Sequence, residues 1–176
     1  MNFLKRFVTK SRIKSPWLLH FDCGSCNGCD IEVLACLTPV YDVERFGIIN
    51  VGNPKHADLL LVTGTVNYRN RPVLENIYEQ MPHPKIVVSV GSCGNSGGIF
   101  RDAYNVIGGI DKVIPVDIYV PGCPPKPEAI IDGVVAGLSA LSEKDGRDVS
   151  PVADELGEMS ATYSERYENF KTGEEK

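Results

Sequence analysis

Continuous apolar runs mark the predicted buried strands of this chain. The clearest are ADLLLVTG at 57–64 and KIVVSVG at 85–91. IPVDIYVPG at 114–122 is rich in β-branched residues and ends at Pro-Gly, and SPWLLHF at 15–21 is entered through Ser-Pro. Because the apolar positions are continuous rather than alternating, both faces of each strand are expected to be covered, as in a parallel sheet.

Helical patterns separate most of these strands. RPVLENIYEQM at 71–81 and KPEAIIDGVVAGLSALSEK at 126–144 each have a proline near the start and one apolar stripe. DIEVLACL at 30–37 predicts a short helix that opens at Asp30, and a loop is expected after the 85–91 strand. The alternation of strands and helices predicts an open α/β sheet.

Charge divides the chain into three predicted parts. Residues 1–14 are basic and can form an amphipathic segment for a membrane subunit or an anionic lipid surface, with a frayed terminus as the alternative. Residues 15–144 form the α/β domain, and residues 145–176 read as an acidic tail. Since no basic stripe interleaved with aromatics occurs, no nucleic-acid role is assigned.

The cysteines carry the candidate chemistry. The chain has neither an apolar run long enough to span a membrane nor a secretory signal, which predicts a cytosolic location. Thiols stay reduced there, so the 6 cysteines are expected to be metal ligands or redox groups rather than disulfides.

Four of these cysteines follow predicted strands. Cys26 and Cys29 come after the first strand, Cys93 after the third and Cys123 after the fourth. The carboxyl ends of parallel strands share one edge of a sheet, where four thiolates could bind either Zn(II) or a 4Fe–4S cluster. The glycine- and proline-rich loops around the last two give the room and the N–H donors that favour a cluster.

The remaining cysteines and the histidines support weaker hypotheses. Cys36 lies in an apolar helix pattern and is interpreted as a small hydrophobe. Cys23 repeats the spacing of the pair that follows it and is interpreted as a free thiol beside the site. A nucleophilic cysteine with a histidine base is disfavoured, because no pattern pairs His20, His56 or His83 with a thiol.

Three strings together resemble a known family. SCNGCDIE, GSCGNSGG and PGCPPKPEAI, in this order and spacing, resemble the small, proximal-cluster subunit of energy-converting membrane-bound NiFe hydrogenases, which is related to the 20 kDa subunit of respiratory complex I. The likeness runs from about Ser15 to Leu141. It implies a flavodoxin-like open parallel sheet with helices on both faces and one 4Fe–4S cluster at the carboxyl ends of the strands, bound by Cys26, Cys29, Cys93 and Cys123.

The resemblance implies an electron relay that performs no bond chemistry itself. Electrons would pass between a ferredoxin-like subunit and the NiFe site of a large subunit, in a ferredoxin-linked, ion-pumping hetero-oligomer. Integral membrane subunits would hold this complex on the cytoplasmic face of the cell membrane.

Three further hypotheses stay open. Glu32, one turn past Cys29, is a candidate for hydrogen bonding or proton movement near the cluster, with a helix-surface carboxylate as the alternative. The equivalent subunit of a sulfur-reducing or quinone-reducing complex is an alternative function. A stand-alone zinc-binding or thiol-redox protein is an alternative of another class.

Overall fold

The computed structural model describes residue 11 and residues 15–145, without the side chains of residue 46 and residues 142–145. The strands in chain order are β1 (Trp17–Asp22), β2 (Ile49–Asn50), β3 (Leu59–Thr63), β4 (Val66–Asn67), β5 (Ile86–Val90), β6 (Val106–Gly108) and β7 (Ile118–Val120). Five of them form a parallel sheet in the order β2-β1-β3-β5-β7, and β4 pairs with β6 in a small antiparallel sheet. This strand order is that of flavodoxin-like proteins and confirms the predicted fold class.

The two central strands are buried along their whole length. All five residues of β3 and all five of β5 are buried, and the two strands pair in register from Leu59 opposite Ile86 to Thr63 opposite Val90. The predicted run at 114–122 yields only the three residues of β7. Just before β7 the Val87 N–H donates to the Asp117 side chain at 2.9 Å, so a carboxylate instead of a backbone carbonyl bonds to β5 there.

Four helices accompany the sheet within the described residues: α1 (Gly28–Ala35), α2 (Arg71–Gln80), α3 (Gly91–Ser96) and α4 (Pro127–Asp145). The helices predicted at 71–81 and 126–144 are confirmed by α2 and α4. The prediction that the first helix opens at Asp30 is wrong, because α1 begins at Gly28 after Asn27, which has a left-handed φ of 66°.

The prediction of a loop directly after the 85–91 strand is also wrong. Residues there form the short helix α3, whose composition of glycine, serine and asparagine gives no apolar period. Its helical path follows from packing instead, since a Cβ at Gly94 would lie 2.8 Å from the Ile110 side chain and 2.9 Å from that of Ser89. Only glycine lets this helix lie so close to the sheet.

Apolar layers cover both faces of the main sheet. Successive residues of a strand point to opposite faces. Leu61 of β3 belongs to the layer that contains Val33 of α1 and Ile131 of α4, whereas Leu60 belongs to the layer that contains Leu74 of α2. The prediction of helices on both faces is therefore confirmed, and the sheet is held from two sides.

The predicted basic segment 1–14 and acidic tail 145–176 lie outside the described residues, apart from Ser11 and Asp145, the last residue of α4. Within the part of the chain that is described, we find no helix with both the length and the apolar character needed to cross a membrane.

Candidate cofactor site

Three strand ends bring four cysteines together. Cys26 lies in the loop after β1, Cys29 in the first turn of α1, Cys93 in α3 directly after β5, and Cys123 in the loop after β7. Burial raises the pKa of the Cys29 thiol to about 11, and the charges of the other three cysteines and of Asp30 add to the rise. The sequence-predicted residues therefore lie within electrostatic reach of one another.

The pKa of Cys93 also indicates that the cysteines lie close together. Its pKa is raised first by burial and then by the charges of Cys123 and Cys26. Crowded thiols resist joint ionisation, because each negative charge disfavours the next. A bound cationic group removes this obstacle, since it stabilises thiolates and binds only the deprotonated form. The four thiols thus fit a thiolate-bound metal group.

Glycine backbone borders the sulfur atoms. Gly91 has a φ of +87°, and a Cβ built there would lie only 2.5 Å from Cys29 Sγ. A Cβ at Gly98 would lie 3.1 Å from Cys93 Sγ, and one at Gly28 would lie 3.5 Å from Cys26 Sγ. A larger residue at Gly91 would therefore collide with the Cys29 sulfur.

Hydrogen bonds fix the loops that carry Cys93 and Cys123. The Ser92 N–H and the Ser92 hydroxyl both donate to the Gly122 carbonyl, at 2.7 and 3.0 Å. The Asn95 amide donates to the Val120 carbonyl at 3.2 Å and accepts from the Ser89 hydroxyl at 2.6 Å. These bonds attach α3 to the end of β7 and hold Cys93 and Cys123 in fixed positions relative to each other.

A polar network beside Cys29 was not predicted from the sequence. The Thr63 hydroxyl donates to Asp30 Oδ1 at 2.6 Å, the Ser25 hydroxyl donates to Asp30 Oδ2, and His20 Nε2 lies 2.9 Å from Asp30 Oδ1. Partial burial acts to raise the pKa of Asp30, but the two hydroxyl donors and His20 outweigh it and hold the pKa below its usual value. The carboxylate is accordingly ionised at neutral pH.

The other two cysteines lie in the apolar layers. Cys23 is fully buried on the α2 side, and its pKa is raised to about 12 by burial and then by Asp22. Cys36 is buried on the α1 and α4 side, where its thiol donates to the Glu32 carbonyl at 3.3 Å. Burial and then the charges of Glu32 and Glu128 raise its pKa to about 12.

Glu32 lies on α1 with its side chain partly exposed. Its charge contributes to the raised pKa of both Cys36 and Tyr41. The hydroxyl of Tyr41 donates to Oε1 of the buried Glu128 at 3.1 Å, and Oε2 of Glu128 has no hydrogen-bond partner among the described residues. The role of Glu32 remains a prediction, and the bond between Tyr41 and Glu128 is a contact that the sequence did not reveal.

The three histidines lie in different surroundings. His56 and His83 are exposed, whereas His20 belongs to the network around Asp30. Within residue 11 and residues 15–145, no three histidine, cysteine, aspartate or glutamate side chains are grouped so that they could hold a single metal ion.

Fold and site together define an α/β protein that gathers four cysteines at the carboxyl edge of a flavodoxin-like sheet. Residues 26–137 match the family described as NADH ubiquinone oxidoreductase, 20 Kd subunit. The chain belongs to this family of oxidoreductase subunits, as the three sequence strings predicted.

Relatives come from more than one type of complex. The probable membrane-bound hydrogenase subunit mbhJ of Pyrococcus furiosus is 49% identical over 145 residues, which cover 82% of this chain and 87% of the relative. An NADH-quinone oxidoreductase subunit of Flavobacterium psychrophilum is 47% identical over 163 residues, covering 92% and 86%. A chain in the structure of the membrane-bound sulfane sulfur reductase, an archaeal respiratory membrane complex, is 37% identical with a TM-score of 0.69, covering 93% of this chain and 90% of that one.

Proposed function

We propose that this chain is the electron-relay subunit of a ferredoxin-linked, ion-pumping membrane-bound NiFe hydrogenase. One 4Fe–4S cluster, held by Cys26, Cys29, Cys93 and Cys123, would pass electrons between a ferredoxin-like subunit and the NiFe site of a large subunit. The observation that carries the proposal is the convergence of these four thiols from three strand ends into one interacting group.

The residues of the chain have distinct tasks in this proposal. The four cysteines bind the cluster as thiolates, and glycine at position 91 leaves space beside Cys29. The apolar layers on both sides of the sheet exclude water behind the site, and this burial tunes the reduction potential of a cluster. When bound, the cluster supplies one-electron oxidation and reduction.

Exposed apolar side chains next to the site support a relay that works inside a complex. Ile31 is 64% exposed and Leu34 54% exposed on α1, close in sequence to Cys29, and Ile99 is 90% exposed shortly after Cys93. Such side chains are stabilised when a partner covers them. The proposed partners are the NiFe large subunit and the ferredoxin-like subunit, with integral membrane subunits on the cytoplasmic face of the membrane.

The cluster is tested on the full-length chain purified under anaerobic conditions. We expect a brown protein with about four irons and matching sulfide per chain, as one 4Fe–4S cluster requires. Serine in place of each of Cys26, Cys29, Cys93 and Cys123 should abolish or strongly reduce the bound iron. The matched control is Cys36→Ser, a buried cysteine outside the group, which should retain the iron.

A colourless protein that contains zinc would contradict the cluster and support the alternative of a zinc-binding or thiol-redox protein. Iron retained equally by all five variants would contradict the assigned ligands.

The relatives also support a second candidate function. The similarity to the sulfane sulfur reductase chain and to the quinone oxidoreductase subunit favours a sulfur-reducing or quinone-reducing complex. The purified complex distinguishes the functions: hydrogen formation from reduced ferredoxin supports the hydrogenase, whereas reduction of sulfane sulfur or quinone without hydrogen formation supports the second candidate. The spacing of two residues between Cys26 and Cys29, where complex I has adjacent cysteines, favours the hydrogenase.

A further inference from the structure

We propose that Asp30 is a positioning residue that lowers the reduction potential of the cluster by keeping a fixed negative charge beside Cys29. This inference rests on the proposed function, because it concerns the cluster that Cys29 would bind. It assigns a role to the hydrogen-bond network around Asp30, whose members are not cluster ligands.

Asp30 is attached to the sheet rather than to solvent. Its Oδ1 atom accepts from Thr63, the last residue of β3, at 2.6 Å, and lies 2.9 Å from Nε2 of His20 in β1. Nε2 of His20 is also 3.2 Å from the Thr63 hydroxyl, so the three side chains form one compact group. Side chains anchored on two paired strands give the carboxylate a defined place.

The second oxygen of Asp30 holds the loop that carries Cys26. The Ser25 hydroxyl donates to Oδ2 and accepts from the Asn27 N–H at 2.9 Å. Asn27 has a left-handed φ of 66°, and α1 begins directly after it. One carboxylate therefore connects the turn between Cys26 and Cys29 to the end of the central strand.

Asp30 follows Cys29 directly in the first turn of α1. Its carboxylate, held by the Thr63 and Ser25 hydroxyls, is therefore a fixed charge one residue away from a proposed ligand. Adding an electron to a cluster also adds negative charge, so a fixed anion nearby disfavours the reduced form. Because the Asp30 side chain is only 15% exposed, salt and water screen this effect less than at the surface.

The test is a redox titration of the cluster in the full-length chain, followed by electron paramagnetic resonance. Asp30→Asn removes the charge with little change of shape, and we expect a midpoint potential shifted in the positive direction. Thr63→Val removes the hydroxyl that contacts Asp30 and His20 but keeps the charge of Asp30, so its shift should be clearly smaller. Glu79→Gln removes an exposed charge on α2 and should leave the potential at the wild-type value.

The amide N–H₂ group of an asparagine at position 30 would face a hydroxyl, of Thr63 or Ser25, that donates to the wild-type carboxylate. This mismatch can lead to loss of the cluster. Asp30→Ser is therefore the second uncharged variant, because a hydroxyl can still accept from Thr63. A positive shift in every uncharged variant that retains the cluster supports the proposal.

Three results would overturn it: a wild-type potential in an uncharged variant that retains the cluster, an equal shift in Thr63→Val, or loss of the cluster from both uncharged variants. The last result would leave Asp30 with a structural role only. Absence of a cluster from the wild-type chain would instead contradict the proposed function, so the two failures are distinguishable.

Discussion

Gly91 leaves room for the sulfur of Cys29 in the cysteine site. Gly91 lies where β5 passes into α3, and its left-handed φ of +87° leaves no room for a Cβ on the side of Cys29. Glycine adopts this conformation without strain, and the missing side chain keeps the space beside the Cys29 sulfur open. The lack of a side chain at position 91 therefore matters for the shape of the site, as do the four thiols.

Gly91→Ala should expel the cluster and destabilise the fold. The left-handed backbone costs an alanine about 1–2 kcal/mol, and the close approach to Cys29 Sγ adds to this cost. We expect reduced iron per chain and a lower thermal unfolding temperature. Gly52→Ala is the matched control, since a Cβ there meets nothing within 4 Å. Iron content equal to wild type in Gly91→Ala would show that this approach does not limit the site.

Glu32 is tested in the assembled complex. If its carboxylate moves protons near the cluster, Glu32→Gln should lower hydrogen turnover and change the dependence of turnover on pH. Glu44→Gln is the control, because Glu44 is an exposed carboxylate outside α1. Unchanged turnover with an unchanged pH profile in Glu32→Gln would contradict the hypothesis and leave Glu32 as a carboxylate on the helix surface.

At the scale of elements, a buried polar bond joins α4 to the chain that follows α1. Tyr41 donates to Glu128 in the first turn of α4, and both groups lie beside the apolar layer that contains Cys36. Tyr41 donates to Oε1 of Glu128, and Oε2 has no hydrogen-bond partner among the described residues, so the carboxylate depends strongly on the tyrosine. This contact helps to keep α1 against α4 and thereby supports the segment that carries Cys29.

Tyr41→Phe should destabilise the protein, since it leaves a buried carboxylate without this donor. The cost expected for such a group is about 1–3 kcal/mol, measured as the free energy of unfolding in denaturant. Tyr104→Phe is the control, because Tyr104 is 99% exposed. A free energy of unfolding equal to wild type in Tyr41→Phe would contradict the role given to this bond.

The same tyrosine predicts a pH dependence. Burial, followed by the charge of Glu128 and the hydrogen bond to it, raises the pKa of Tyr41 above its usual value of 10.0. The folded state therefore retains a proton that the unfolded state loses, so stability is complete below pH 10.0 and decreases as the pH rises above it. Tyr41→Phe should show a smaller decrease in this alkaline range than wild type.

At the scale of the whole molecule, the strand order explains why the site could be predicted in part. Apolar runs predicted β1, β3, β5 and β7, and parallel pairing places the carboxyl ends of these strands at one edge. The convergence of Cys26, Cys29, Cys93 and Cys123 then followed from their positions after the strands. Their role as ligands remains a prediction.

Other features could not be derived from local patterns. The group of His20, Asp30 and Thr63 depends on the register between β1 and β3, in which Asp22 pairs with Thr63. Helix α3 has no apolar period because it packs through Gly94. Both features arise from tertiary contacts between segments that are distant in sequence, so neither has a signal in one stretch of residues.

X-ray absorption spectroscopy of the anaerobically purified full-length chain tests whether the four cysteines bind one 4Fe–4S cluster. We expect an iron edge with sulfur neighbours and an additional iron–iron scattering contribution, because a 4Fe–4S cluster contains several metal atoms in one site. This contribution should disappear in Cys93→Ser and persist in Cys36→Ser. A zinc edge with a single shell of sulfur neighbours, or iron without an iron–iron contribution, would contradict the claim.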